Sequence, residues 1–271
     1  MADKQNLFEV DDLHVVYRRP GEKPVAAVRG VSFTLAAGET LGIVGESGSG
    51  KSTLAKAIML LQPAAGGSVR FCGQDIFSFS PAARRAYRND VQMVFQDAVG
   101  SLNPRMTIRQ TLDEVCAHSR RASQEGRSPR SPEDLLELVG LSRAVFDQYP
   151  RELSGGQCQR VSIARALAAD PKVLVADEPV SALDVSVQAR ILNLMRDLRR
   201  NLGLSVLLIA HDLAVVRNVC DRVCVMHLGL FEDAGPAEDV FASPKSDYTK
   251  SLLAAVPDVA RALAARNAEV A

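Results

Sequence analysis

The sequence predicts an α/β fold built on a mainly parallel sheet, and three observations support this prediction. Residues 40–44, 173–176 and 204–209 are short, almost wholly apolar runs, which are typical of strands covered on both faces. Segments with helical spacing alternate with these runs, as in sheets whose parallel strands are joined by helices. With 47% hydrophobic and 24% charged residues in 271, the composition is that of an ordinary globular chain.

Two further strands precede the first buried run. Residues 7–17 and 27–35 are rich in Val, Leu and Phe and alternate loosely, which predicts strands. A glycine-rich loop follows the run at 40–44, and residues 53–61 then have helical spacing. Farther along, residues 187–202 are predicted as a helix because apolar residues recur at i, i+3 and i+4. Gly203 would cap the C-terminus of that helix.

The middle of the chain has a different pattern, with helical spacing and no convincing strand over residues 104–161. One helix is predicted at 107–118 and another at 132–139, where Ser131 supplies an N-cap. Between them, residues 120–132 are basic and rich in Ser and Pro. We interpret this segment as a solvated connection rather than a binding element. The whole block is predicted to be a helical insertion in the α/β core.

Charge and cysteine content exclude several classes of protein. Lys+Arg and Asp+Glu both number 32, so the basic excess expected of a nucleic-acid-binding protein is absent. Five cysteines without a CxxC pair argue against a disulfide framework or a zinc site. Cys220 and Cys224 would share one face if they lie on a helix, and we expect buried thiols in a reducing cytosol. The N-terminus does not resemble a signal peptide, and no apolar run reaches the roughly 18 residues of a membrane span.

The loop after the first buried strand matches the pattern G-x-x-x-x-G-K-[ST]. In this pattern glycines let successive backbone N–H groups point inward around an anion, and the following helix adds its own free N–H groups. Lys51 would reach the β- and γ-phosphates of a nucleotide, and the Ser52 hydroxyl would ligate Mg²⁺. The alternative is a glycine-rich turn with a surface lysine, which the flanking strand and helix disfavour. The matching residues are Gly45, Glu46, Ser47, Gly48, Ser49, Gly50, Lys51, Ser52 and Thr53.

Two adjacent carboxylates close the second buried strand. Asp177 and Glu178 would be costly to bury unless they bind a cation or perform acid–base chemistry. Asp177 would hold Mg²⁺ through water, and Glu178 would polarise an attacking water. Neighbours in a strand point to opposite sides, so separate roles for the pair need a turn, which Pro179 permits. Taken alone, the pair is better explained as a solvated turn.

A third element is a turn that opens a predicted helix. Ser154, Gly155, Gly156 and Gln157 would present another helix N-terminus suited to a phosphate. From the residues alone, a simple capped helix explains this turn as well.

Taken together, these three motifs in their order along the chain resemble the nucleotide-binding subunits of ABC transporters. The resemblance covers nearly the whole chain and implies an α/β P-loop NTPase core of the ABC-ATPase type. An antiparallel β subdomain and an inserted α-helical subdomain would complete a single domain over residues 1–271. The nucleotide-binding core would comprise 1–95 and 152–235, the helical subdomain 96–151, and a C-terminal extension 236–271.

The resemblance also assigns single residues. Gln96 resembles the Q-loop glutamine, which ligates Mg²⁺ and senses the membrane subunit, and His211 resembles the switch histidine that contacts the γ-phosphate. With Glu178, they would form the catalytic set. Asp184 belongs to a D-loop-like SALD segment at the nucleotide, and Tyr17 resembles the aromatic residue that stacks on adenine. Without the resemblance, His211 would be interpreted as a residue at a helix end or in the core. Tyr17 would be interpreted as an ordinary aromatic residue of a strand.

Partners and cofactors follow from the same resemblance. ATP and Mg²⁺ would be held between two ATPase subunits, with the P-loop of one facing the Ser154–Gln157 turn of the other. The second ATPase would be a copy of this chain or a relative. Two transmembrane permease subunits would bind the pair, so the chain would be peripheral at the cytoplasmic face of the inner membrane. A solute-binding protein would be an indirect partner, and no nucleic acid is expected.

The segments at 96–107, 181–188 and 235–253 are similar to the peptide/nickel importer branch of this family. This similarity predicts uptake of di- or oligopeptides, and leaves nickel, glutathione and opines as alternative solutes. A non-transport ABC ATPase acting on ribosomes or DNA is the competing function. Two positions depart from the branch: residues 98–100, and Cys158, which stands where a long polar residue is common.

Overall fold

A computed structural model describes residues 5–18, 20–21, 23–122 and 130–255. Most of the predicted basic loop at 120–132 and the end of the predicted C-terminal extension therefore lie outside the described residues. The strands are β1 (Asn6–Tyr17), β2 (Val25–Ala36), β3 (Thr40–Val44), β4 (Gly66–Phe71), β5 (Gln74–Asp75), β6 (Val91–Val94), β7 (Val173–Asp177), β8 (Ser205–Ala210), β9 (Arg222–His227) and β10 (Leu230–Pro236). The helices are α1 (Lys51–Ile58), α2 (Pro81–Asp90), α3 (Ile108–Ala122), α4 (Pro132–Leu138), α5 (Gly155–Leu167), α6 (Val185–Leu202), α7 (Leu213–Val219), α8 (Ala237–Ala242) and α9 (Asp247–Ala254).

The predicted parallel sheet is confirmed, with six strands in the order β10-β9-β3-β8-β7-β6. Every pair in it is parallel except the edge hairpin of β9 and β10. All residues of β3, β7 and β8 are buried, which explains their continuous apolar sequences. Because these strands run in one direction, the loops at their carboxyl ends meet at one edge of the sheet, where ligands of such sheets bind.

A separate antiparallel sheet has the order β2-β1-β4-β5, as the family resemblance implied. Phe8 of β1 and Leu35 of β2 are fully buried in one apolar cluster with Leu54 and Ile58 of α1. Ile43 of β3 belongs to the same cluster. Helix α1 is thus packed between the two sheets, and this packing fixes the loop that leads into it.

The other face of the parallel sheet is covered by helices. Val44 and Leu208 share a buried cluster with Val161 of α5 and Ile191 of α6. Within the described residues, no strand lies between β6 and β7, so the prediction of a helical block there is confirmed. Helix α4 begins with a capping box, in which Ser131 and Asp134 satisfy each other's backbone N–H groups.

Several sequence predictions were incomplete or wrong. Strands β4, β5, β6, β9 and β10 were not predicted. For β5, β6 and β10 the reason is that short or edge strands carry weak periodicity. Helix α1 begins at Lys51 rather than residue 53 and ends at Ile58, before Leu60 takes a positive φ of 56°. Cys220 and Cys224 are buried as expected but share no helix, since Cys220 follows α7 and Cys224 lies in β9.

No helix in the described part of the chain is both long and apolar enough to cross a bilayer.

Candidate active site

The P-loop motif, residues 45–53, begins at the carboxyl end of β3 and runs into the first turn of α1. Gly45 and Gly50 have φ angles of 154° and 110°, in a region that side chains rarely adopt. A Cβ added at Gly45 would lie 2.0 Å from the Met226 carbonyl oxygen, and one at Gly50 would lie 2.2 Å from that of Ala27. The loop therefore rests so closely on β9 and β2 that only glycine fits at these two positions.

Lys51 points into the curve of this loop. Its Nζ donates to the carbonyl oxygens of Gly45 and Glu46, both at 2.7 Å, and to Ser49 Oγ at 3.3 Å. The residue is only 4% exposed. Burial lowers the pKa of the ammonium, while the carboxylates of Glu178 and Asp177 act to raise it. The loop thus holds a buried cation whose three donor positions are directed at oxygen atoms.

Ser52 and Asp177 join the P-loop to the end of β7. Ser52 Oγ donates to Asp177 Oδ1 at 3.0 Å. Asp177 is 7% exposed, and burial raises the pKa of its carboxyl group, against the opposing effect of the Ser52 hydrogen bond. Adjacent hydroxyl and carboxylate oxygens are the ligands that a hard cation such as Mg²⁺ prefers. The donor set at this point therefore fits Mg²⁺.

Glu178 follows β7 in a left-handed conformation with a φ of 46°. Its backbone N–H still donates to the Ile209 carbonyl oxygen of β8, at 2.9 Å. Such a conformation costs a non-glycine residue on the order of 1–3 kcal/mol and is concentrated at functional sites. The turn predicted between Asp177 and Glu178 is present, so the alternation of side chains along the strand does not constrain Glu178.

One carboxylate oxygen of Glu178 is held from two sides. Gln96 Nε2 donates to Glu178 Oε2 at 3.0 Å, and His211 Nδ1 lies 3.2 Å from the same oxygen. Gln96 and His211 follow β6 and β8, the two neighbours of β7, which explains how residues so distant in sequence meet. The Glu178 side chain is 12% exposed whereas that of His211 is 50% exposed. The three residues predicted as catalytic therefore form one cluster at the carboxyl ends of these strands.

Ser181 belongs to this cluster and was not among the predicted site residues. Its Oγ accepts from Gln96 Nε2 at 3.3 Å and donates to the Glu178 carbonyl oxygen at 3.2 Å. It lies in the SALD segment, so its place in that motif was the available signal. It fixes both the glutamine and the turn that presents Glu178.

Tyr17 and Asp184 have contacts that leave their predicted nucleotide roles open. The Tyr17 hydroxyl lies 3.3 Å from Thr53 Oγ1, which places the tyrosine beside the first turn of α1. The Asp184 side chain caps α6 by accepting from the Val187 N–H at 3.0 Å. Hydrogen bonds from Ser186 and Val187 lower the pKa of this carboxyl group. Adenine stacking by Tyr17 and nucleotide contact by Asp184 stay predictions.

The Ser154–Gln157 turn forms a second, exposed group at the N-terminus of α5. Ser154 and Gln157 satisfy each other's backbone N–H groups in a capping box, at 3.3 and 2.9 Å. A Cβ on Gly156 would lie 2.6 Å from Val187, so this turn packs closely on α6. Cys158 is fully buried and its thiol donates to the Pro150 carbonyl oxygen, which makes it a core residue. The N–H groups of Gly155 and Gly156 take no part in this capping box, so they are the ones available to a ligand outside the helix.

A glycine loop around a buried lysine, a serine–aspartate pair and a glutamate-centred cluster at one edge of a parallel sheet define a P-loop NTPase. Residues 28–181 match the family model described as ABC transporter. The chain belongs to the ABC transporter family, and it is an ATPase of the ATP-binding cassette type.

Two curated relatives and one solved structure show the extent of the likeness. The oligopeptide transport ATP-binding protein OppF of Escherichia coli K12 is 46% identical over 259 residues, which are 95% of this chain and 77% of OppF. The dipeptide transport ATP-binding protein DppF of the same organism is 46% identical over 236 residues, 87% of this chain and 70% of DppF. The dimeric cassette MJ0796 bound to ADP and Pi superposes with a TM-score of 0.73 at 28% identity, covering 85% of this chain and 98% of that one. These comparisons confirm the predicted fold class and ATPase activity.

Proposed function

We propose that this chain is the energy-coupling ATPase of an importer for dipeptides or oligopeptides. The observation that carries the proposal is the 46% identity to OppF along 95% of the chain. The site supplies the chemistry such a subunit needs, since a buried lysine lies inside the glycine-rich loop and a glutamate-centred cluster lies at the carboxyl ends of the neighbouring strands. Uptake of nickel, glutathione or an opine by the same ATPase is the alternative that the experiments must separate.

In the proposed mechanism the P-loop holds the phosphates of ATP and Glu178 acts on water. The inward N–H groups and the Lys51 ammonium stabilise the negative charge of the β- and γ-phosphates. Glu178 accepts a proton from the water that attacks the γ-phosphate. Gln96 and His211 hold the carboxylate in place, and the exposed side of His211 is free to contact the γ-phosphate. Hydrolysis detaches the γ-phosphate, and its departure removes the negative charge that would hold two paired subunits together.

The Ser52–Asp177 pair fits Mg²⁺, which when bound would neutralise charge on the phosphate oxygens. Ser52 would supply a direct ligand and Asp177 would act through water. Gln96 directs its amide nitrogen at Glu178, so its carbonyl oxygen is the atom left for the cation. The nucleotide phosphates would complete the coordination.

We expect Asp177→Asn to raise the Mg²⁺ concentration for half-maximal ATPase activity by about 10- to 100-fold, as for other residues that act on a metal through water. ATP affinity in EDTA should not fall, because the asparagine keeps the shape, can still accept from Ser52 and carries no charge that repels phosphate. A Mg²⁺ titration of steady-state turnover measures the shift. Asp113→Asn, on the exposed side of α3, is the matched control. An unchanged Mg²⁺ requirement would remove Asp177 from the metal site.

The exposed Ser154–Gln157 turn supports a paired arrangement of ATPase subunits. The N–H groups of Gly155 and Gly156 lie at the N-terminus of α5 outside the capping box, where the γ-phosphate bound to a second cassette would complete the site. The MJ0796 cassette is itself dimeric. In this proposal residues 96–151 contact a cytoplasmic helix of one of two permease subunits, and the chain is peripheral at the cytoplasmic face of the inner membrane. Residues 1–95 and 152–235 form the nucleotide-binding core.

A pull-down tests the transport assignment. Tagged Glu178→Gln is expressed in the native cell, trapped with Mg-ATP, solubilised gently and analysed for co-purifying chains, with Lys51→Ala as the matched control. We expect two multi-span membrane proteins and a second ATPase with Glu178→Gln. Deletion of this ATPase should then abolish peptide uptake. Competition for uptake by peptides, and not by nickel, glutathione or opines, would identify the solute class. Ribosomal or DNA-repair proteins without a membrane chain would overturn the proposal.

A further inference from the structure

The peptide group between Gly45 and Glu46 is held at both ends. Its carbonyl oxygen, that of Gly45, accepts from Lys51 Nζ at 2.7 Å. Its N–H, that of Glu46, donates to the Tyr248 hydroxyl at 3.3 Å. A residue almost two hundred positions downstream of the P-loop therefore contacts the same planar unit that positions the lysine.

Tyr248 is brought to the P-loop by a well-anchored first turn of α9. The Asp233 carboxylate of β10, only 6% exposed, accepts from the N–H groups of Lys245 and Ser246, both at 3.0 Å. Ser246 then caps α9 by accepting from the Thr249 N–H at 3.0 Å. Thr249 is 1% exposed. The turn before the helix and the helix start are thus tied to the edge of the parallel sheet.

The Tyr248 ring is fixed as well as its backbone. It stacks on His227 with a centroid separation of 3.9 Å and an interplanar angle of 11°. The residue before this histidine, Met226, is the one whose carbonyl oxygen lies against Gly45. Burial raises the pKa of the Tyr248 hydroxyl, so it stays protonated at neutral pH. Both the end of β9 and α9 therefore support the start of the P-loop.

We propose that Tyr248 is a positioning residue for phosphate binding, which orients the Gly45–Glu46 peptide and through it the Lys51 ammonium. The inference rests on the proposed role of the P-loop. A planar peptide fixed at both its oxygen and its N–H cannot rotate about its axis. Without the phenolic hydroxyl, the N–H end is released to water, and one of the three oxygen atoms that hold the ammonium loses its fixed orientation.

The effect should appear in binding rather than in the chemical step. Lys51 contacts the phosphates both before and during hydrolysis, so a looser lysine weakens both states by a similar amount. Such uniform weakening raises KM and leaves kcat unchanged. The net loss of one neutral hydrogen bond corresponds to a factor of about three to ten in affinity.

The test compares Tyr248→Phe, which keeps the ring on His227, with wild type in ATP binding by equilibrium dialysis and in steady-state turnover. We expect the Kd and KM for ATP to rise about three- to tenfold, with kcat within about twofold and Tm little changed. Lys250→Ala is the matched control, since it removes only the exposed pair with Asp247 on the same helix. It should behave as wild type.

Lys51→Ala in the same assay separates the role of Tyr248 from the role of the P-loop. If Lys51→Ala loses affinity but Tyr248→Phe changes it by less than about 1.5-fold, the positioning role fails and the P-loop role stands. If Lys51→Ala binds ATP normally, the P-loop role fails and takes the positioning role with it. If Tyr248→Phe and Lys250→Ala lose the same ATP affinity, the effect comes from the stability of α9. That result would also overturn the proposal.

Discussion

Glu178→Gln is expected to retain ATP binding and to lose turnover by about 10²- to 10⁴-fold, the usual contribution of a general base. The glutamine keeps the shape of the side chain and can still contact Gln96 and His211. It cannot take the proton of the attacking water, so the defect lies in the chemical step. ATP binding is expected to be wild-type, because the P-loop and Lys51 hold the phosphates independently of this oxygen.

The measurement is single-turnover hydrolysis, with the enzyme in excess over Mg-ATP and above the Kd, combined with an independent ATP Kd. Glu137→Gln, an exposed glutamate on α4, controls for the same chemical change away from the site. We expect Glu178→Gln to accumulate in an ATP-bound form that persists after free nucleotide is removed. Turnover within a few-fold of wild type would show that another group accepts the proton.

The fold was predictable where the sequence pattern is unambiguous. Strands β3, β7 and β8 are covered on both faces, and their apolar runs could be recognised without tertiary information. The edge strand β10 could not, because only Asp233 of its residues is buried. The roles of the Asp-Glu pair at the end of β7 were ambiguous because the sequence does not show in which direction each side chain points. Only the turn at Glu178, with its positive φ, shows that the two side chains serve different partners.

The site was predictable wherever a motif carries its own chemistry. The P-loop could be identified from residue types and spacing, whereas the roles of the Asp-Glu pair, Gln96 and His211 depended on the family resemblance. Their meeting at Glu178 follows from the strand order β8-β7-β6, which no local pattern encodes. Tyr248 could not be assigned from the sequence, because its contact with Glu46 requires Asp233 to anchor the start of α9.

Lys51→Ala is expected to weaken ATP binding by about 10- to 150-fold, from the loss of charge-assisted hydrogen bonds to phosphate. The structure gives two reasons for an effect at the upper end. The ammonium is buried, so water screens it poorly and its attraction for phosphate is strong. Its loss also removes a positive charge that acts on Asp177 and Glu178, so the two carboxylates repel the incoming phosphates more strongly.

Because this repulsion acts on phosphate groups, the expected loss of affinity depends on how many phosphates the nucleotide carries. Affinity should fall most for ATP, less for ADP and hardly for AMP, since Lys51 would reach only the β- and γ-phosphates. Lys250→Ala removes an exposed lysine from α9 and controls for the loss of one positive charge away from the site, with affinities expected to follow wild type. An equal loss for all three nucleotides would mean that the lysine supports the loop without contacting the outer phosphates. Unchanged affinity for ATP would contradict the P-loop assignment itself, because no other cation lies inside the curve of the described loop.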